Sequence, residues 1–149
     1  MKKRALKYLK GQCLMALATS SPRGEPHCSA MLYVVDDDFN FYFVTREKTR
    51  KAEHLAQNPE VALTIGFESP MNVQARGTVR MIEDEALQAD LFVKLADAGS
   101  AVKDFWPPVL RIEAGQYLLY RMEPRWVRVL DLEDAKVNEA EAPLYEIIP

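Results

Sequence analysis

The sequence predicts a mainly β domain, an antiparallel barrel of six or seven strands with helices at its periphery. Three observations predict it. Segments of strand-like pattern recur with hairpin spacing, separated by turns rich in Asp, Asn, Pro or Gly. Only two or three segments carry a helical period. The first half has a single short helical crossover, Lys48 to Asn58, whereas a doubly wound sheet needs one between successive parallel strands.

Lys2 to Lys10 reads as a short helix with Ala5, Leu6 and Leu9 on one face and Gly11 as its stop. Cys13 to Thr19 is a nearly continuous apolar strand, and S-S-P-R-G-E-P after it is turn material. His27 to Val35 is the next strand. Cys28, Ala30, Leu32 and Val34 share one face, which predicts a buried, inert Cys28 thiol; His27, Ser29, Met31, Tyr33 and Val35 share the other. Asp36 to Asn40 turns the chain into a strand at Phe41 to Thr45. Thr49 is the expected cap of a helix on which Ala52, Leu55 and Ala56 repeat, with His54 on its outer side; Asn58-Pro59 ends it.

Glu60 to Phe67 and Asn72 to Ile82 follow as strands. In the second, Val73, Ala75, Val79 and Met81 oppose Asn72, Gln74, Arg76, Thr78 and Arg80, and Gly77 marks a bulge or a close approach. Glu83-Asp84-Glu85 opens a helix with Leu87, Leu91 and Leu95 inside and Gly99 at its end. Val102 to Trp106 adds a turn, and Val109–Ile112, Gln116–Met122 and Trp126–Leu132 supply the last strands. The stretch 133–149 is a polar tail whose end, Leu144 to Ile148, is apolar enough to dock, with a partner subunit as one candidate surface.

At 149 residues the chain makes one domain, and 48% apolar residues are enough for a core. A net charge of −3 gives no general reason to bind nucleic acid. No apolar run approaches the ~20 residues that span a bilayer, and the basic N-terminus has no signal-peptide pattern, so the expected location is cytoplasmic. Two cysteines make no disulfide framework, and neither they nor the two histidines show metal-ligand spacing.

The chemistry concentrates where the Phe41–Thr45 strand hands over to a helix. Thr45 and Thr49 offer hydroxyls there, and Arg46, Lys48, Arg50 and Lys51 offer positive charge. A helix start also presents free N–H groups, so the place suits a phosphate. The competing reading is a solvated face with Glu47–Lys51 pairing. Asn72 and Gln74, two apart on one strand face, can both donate and accept, as the imide edge of a flat heterocycle requires.

The segments P-H-C-S-A-M-L-Y-V-V, F-Y-F-V-T-R-E-K-T-R-K, N-P-E-V-A-L and N-V-Q-A-R-G-T-V, in this order, resemble the pyridoxamine 5′-phosphate oxidase-like, FMN-binding split-barrel family. A-L-A-T-S-S-P-R-G-E-P resembles that family's first hairpin, and the likeness runs from about residue 10 to 82. It implies a split barrel that binds FMN between two copies of the chain, with hydride or electron transfer between a nicotinamide and a small molecule. Ser29, Ala30, Met31 and Leu32 would run along the isoalloxazine, and Val44 and Thr45 would flank ring and ribityl chain. Thr49, Arg50 and Lys51 would grip the 5′-phosphate. Asn72, or alternatively Gln74, would bond the ring, and Trp106 and Trp126 are candidates for the interface wall.

Members that oxidise pyridoxamine phosphate carry an arginine where Ser29 falls, a basic residue near Val34 and an arginine-rich end; this chain ends L-Y-E-I-I-P. The expected activity is therefore a flavin-dependent oxidoreduction other than vitamin B6 phosphate oxidation. No catalytic acid or base stands out, although His27, Cys28 and Tyr33 carry suitable groups. Relatives of this barrel bind deazaflavin, haem or biliverdin, and a flavin-storing or stress-related protein without turnover is the alternative from another class.

Overall fold

The computed structural model describes residues 1–101, 116–134 and 144–149. Its elements are α1 (Lys2–Gly11), β1 (Leu14–Ser20), β2 (Pro26–Leu32), β3 (Val34–Val35), β4 (Phe41–Arg46), α2 (Arg50–Gln57), β5 (Glu60–Ile65), β6 (Met71–Met81), α3 (Glu85–Ser100), β7 (Tyr117–Asp131) and β8 (Leu144–Ile148). All ladders are antiparallel. The sheet runs β2-β1-β5-β6-β7-β4-β3, with β8 added to β7. The sheet curls so that β2 and β4 approach each other, while their ladders run to β1 and to β7 and β3. That unpaired seam makes the barrel a split one. The expected mainly β architecture with peripheral helices is what the chain forms.

The core fills the curl. Met15 and Leu17 of β1, Met31 of β2, Phe41 and Phe43 of β4, Val73 and Ala75 of β6, and Met122, Val127 and Val129 of β7 belong to one buried cluster. Each large apolar side chain so placed contributes about 1.5–3 kcal/mol. α1 closes one side with Ala5 and Leu9, and the Tyr33 hydroxyl donates to the Leu9 carbonyl at 2.7 Å. That bond and the burial that raises its pKa far above the usual phenol range make Tyr33 structural. A second cluster joins Leu32 and Val44 across the seam beneath Leu91 and Leu95 of α3.

Several boundaries differ from the sequence reading, each for a physical reason. His27 to Val35 is two elements, β2 and β3, which part at Tyr33. Tyr117 to Asp131 is one long strand, because β6 pairs along its whole length. At Gly77 the pairing steps from Arg76↔Trp126 to Gly77↔Pro124, so Arg125 is the extra residue of a bulge. Burial changes parity there, from Tyr120 and Met122 to Val127, Val129 and Asp131. A Cβ on Gly77 would lie 2.1 Å from the Glu123 carbonyl oxygen, which explains the glycine. Leu144 to Ile148 pairs with β7 of its own chain. That corrects the idea of a free tail end docking on a partner.

Three inward–outward assignments are also corrected. Cys28 is exposed: β2 turns His27, Ser29 and Met31 toward Thr19, Leu17 and Met15 of β1, leaving Cys28 and Ala30 outside. Met81 and Leu87 are exposed at the ends of their elements. Trp106, the turn at Val102–Trp106 and the strand expected at Val109–Ile112 lie outside the described residues.

Candidate functional site

The turn from β4 into α2 is built by Thr49. Its hydroxyl caps the helix by accepting from the Ala52 N–H at 3.2 Å, and it donates to the Arg46 carbonyl at 3.0 Å. The buried Thr45 hydroxyl lies 3.1 Å from the same oxygen. Since Thr49 has one proton, already given to Arg46, Thr45 is the donor in that pair. Both hydroxyl protons therefore brace the turn. Lys48 adopts φ +62°, a conformation that lets the chain reverse within the loop and that non-glycine residues rarely occupy.

The cations are differently placed. Arg50 and Lys51 occupy the first turn of α2, where backbone N–H groups lack intrahelical partners. Among the described residues neither Arg50 nor Lys51 makes an ion pair. Lys51 is half-buried, and that burial lowers its pKa. The Glu47–Lys51 pairing of the competing reading does not form.

α2 is rotated relative to the sequence expectation. Ala52, His54 and Leu55 are buried and Ala56 is exposed. His54 therefore faces the barrel, not the outer side, because Thr19 of β1 gives it a hydrogen bond partner at Nδ1, 3.0 Å away. His27, opposite Thr19 in the β1–β2 ladder, packs edge-on against His54 with ring centroids 6.2 Å apart. Burial first, then Lys51, His54 and Arg50, lower the pKa of His27. Sequence reasoning missed this pairing; the signal was that His27 and Ser29 share a strand face with the inward-facing Met31.

The remaining candidates sit as follows. Ser29 places its hydroxyl oxygen out of solvent with no hydrogen-bond partner among the described residues. Met31, Leu32 and Val44 are buried in the two apolar clusters, so only their backbone could meet a ligand; Ala30 is exposed. Asn72 and Gln74 lie on the outer face of β6, whereas Thr45 and Ser29 point inward, so one chain alone does not unite them in a single pocket. The Asn72 amide donates to Thr64 Oγ1 and the Ile65 carbonyl, both at 3.0 Å, and accepts from Gln74 at 3.1 Å. Its N–H groups are thus spent, which leaves Gln74 the freer of the two. Arg128 donates to Gln74 at 3.3 Å while its buried Nε has no partner. Trp126, half-buried, is flanked by the guanidinium groups of Arg76 and Arg128, 5.3 and 5.1 Å from its ring centroid.

A phosphate fits this turn on the chain's own chemistry: two cations without an ion pair among the described residues, and the free N–H groups of a helix start. Among the described residues no group of three or more His, Cys, Asp or Glu is placed to hold a metal ion. No helix there is long and apolar enough to cross a membrane.

Known proteins agree with this architecture. The family model described as pyridoxamine 5′-phosphate oxidase matches residues 1–131. A pyridoxine/pyridoxamine 5′-phosphate oxidase of Pseudomonas fluorescens (strain Pf0-1) is 30% identical over 102 residues, which cover 68% of this chain and 47% of that protein. The chain thus spans about half the length of the curated relatives it matches. Among solved structures, a conserved hypothetical protein from Mycobacterium tuberculosis superposes with a TM-score of 0.72 at 22% identity, covering 89% of this chain and 86% of that one. A pyridoxamine 5′-phosphate oxidase-related, FMN-binding protein from Nostoc punctiforme gives 0.57 at 17% identity, covering 99% and 92%. An F420 reductase gives 0.62 at 22% identity, covering 81% and 94%. These structural likenesses establish the fold and leave the ligand open. The family match over residues 1–131 places this chain in the pyridoxamine 5′-phosphate oxidase family.

Proposed function

We propose that the chain is an FMN-binding oxidoreductase of a small molecule, with NADH or NADPH as candidate electron donor and two copies forming each site. The observation that carries this reading is the pair of unpaired cations, Arg50 and Lys51, on the first turn of a helix beside the seam of a split barrel. Arg50, Lys51 and the first backbone N–H groups of α2 would hold the 5′-phosphate. Thr45 and Thr49 would keep that turn in shape, and the free Ser29 hydroxyl and Ala30 backbone would meet the ribityl and ring side. FMN, when bound, supplies the redox chemistry.

The second copy follows from the outer face. Register aligns Cys28 and Ala30 with Ala18 and Ala16, then with Ala62 and Thr64, then with Arg76 and Gln74. This is a flat floor of small side chains ending in a wall of Gln74, Arg76, Trp126 and Arg128. A partner's flavin ring laid on the floor would find the free capacity of Gln74 and two guanidinium groups at its polar edge. The phosphate turn of one copy and the amide–tryptophan wall of the other would then complete one site.

The deazaflavin reading uses the same phosphate turn. A haem would need an axial ligand, for which His54 would offer Nε2, since Thr19 engages Nδ1. Purified protein should show visible flavin bands or bind added FMN, sediment as a dimer, and oxidise NADH or NADPH faster than free FMN does. A colourless protein indifferent to FMN would overturn the reading. Tight FMN binding without turnover would leave the flavin-storing alternative, and selective binding of a deazaflavin would replace FMN.

A further inference from the structure

We propose that His27 is a proton-accepting arm of the phosphate site, so that the protein takes up a proton when a phosphate monoester dianion binds. The inference rests on the flavin reading above and deepens it.

The geometry comes from three elements. β1 and β2 set Thr19 opposite His27. Thr19 fixes the His54 ring through its 3.0 Å contact with Nδ1, and His54 meets His27 edge-on at 86°. α2 carries His54 one turn beyond Arg50 and Lys51, so the rings and the two cations share one side of the helix. The charged and titratable groups that act on His27 are Lys51, Arg50 and His54, all from α2; β1 faces it with Thr19. No carboxylate is among them.

A ring wedged in the barrel end explains the packing alone. It does not explain why Lys51, Arg50 and His54 crowd an ionisable ring on which no carboxylate acts. Without ligand, burial first and that crowding second lower the pKa of His27 and favour its neutral form. A dianion held between Arg50 and Lys51 offsets their two positive charges and offers the ring an anionic acceptor. His27 then gains a proton and donates a charge-assisted hydrogen bond. The linkage has a definite sign. Affinity falls as pH rises between the free and the liganded pKa of His27, by at most about tenfold per unit. The ligand's own second ionisation, near pH ~6, acts in the opposite direction, so the window to examine is pH 7–9.

The test is calorimetric titration with FMN at about pH 7.5 in two buffers of different ionisation enthalpy, with riboflavin as the probe lacking phosphate. Wild type should take up a fraction of a proton per FMN bound. His27→Gln should bind FMN about tenfold more weakly, keep its riboflavin affinity and lose the proton uptake. His27→Lys should keep FMN affinity and also lose the uptake. Unchanged FMN affinity or retained uptake in His27→Gln overturns the assignment, as does equal weakening of FMN and riboflavin. Should His27→Gln melt unlike wild type, retained uptake in His27→Lys overturns it instead. Wild type that binds no FMN overturns the flavin reading and this inference together; FMN binding indifferent to His27 overturns this inference alone.

Discussion

Thr45 donates its hydroxyl proton to Thr49 across 3.1 Å, because the Thr49 proton is committed to the Arg46 carbonyl. The two threonines nearest the proposed phosphate are thus parts of the turn before they are ligands. Thr45→Val should leave FMN affinity within about threefold, since it removes no free donor. A loss of a hundredfold in a fluorescence titration would make Thr45 a direct ligand after all.

Thr49→Ala removes the cap of α2 and strands the Thr45 hydroxyl in the interior. The combined cost should be about 2 kcal/mol, or roughly 5 °C in melting temperature. Thr49→Ser should recover most of it. Thermal unfolding of the two variants decides; equal melting would mean that the cap is dispensable.

Arg50→Ala with Lys51→Ala should weaken FMN by about a hundredfold or more, as two charge-assisted contacts are lost. Neither side chain makes an ion pair among the described residues, so the melting temperature should stay within about 2 °C. Parallel titrations with FMN and riboflavin separate phosphate binding from ring binding. An unchanged FMN affinity would move the phosphate elsewhere.

Asp36 organises the β3–β4 turn by accepting from the Asn40 and Asp38 backbone N–H groups, the Asn40 amide and the Tyr42 hydroxyl. Burial raises its pKa, but these hydrogen bonds outweigh it and leave the group below its ordinary value. Its contribution is therefore fully present above the unfolded pKa of about 3.9 and is lost as pH falls through the lower folded value. Asp36→Asn should be less stable than wild type at pH 7, and the gap should close in acid. Urea unfolding between about pH 7 and pH 3 measures it; a gap that stays constant would contradict the assignment.

Gly77→Ala should cost about 3 kcal/mol, because the new methyl would meet backbone and not a flexible side chain. Chemical denaturation gives the value directly. Near-wild-type stability would show that β7 gives way at the bulge.

Much of this was legible in the chain. Alternation located β6, the Asx-rich turn located the β3–β4 hairpin, and Thr49 read as a cap is a cap. The misplacements share one cause: polarity is an imperfect guide to facing. His54 counted as an outward residue of its helix, yet α2 turns it toward the barrel, where Thr19 bonds it. In β2 both faces are apolar enough to be buried, so alternation could not choose between Cys28 and Ser29. β8 owes its place to a long-range ladder that no local pattern encodes. The division of Asn72 and Thr45 between opposite faces depends on how the sheet closes, which is a property of all the strands together.

The extra residue in β7 has one more consequence. Arg125 is exposed, and among the described residues its side chain pairs with Glu60 alone, so its identity should be freely exchangeable. Its removal would be absorbed as well. Without it Pro124 still pairs with Gly77 and Trp126 with Arg76 in unbroken alternation, so Val127 and Val129 stay inside and Trp126 and Arg128 outside. What the extra residue adds is a local bend, and here the chain tolerates a change in letter count as well as in spelling.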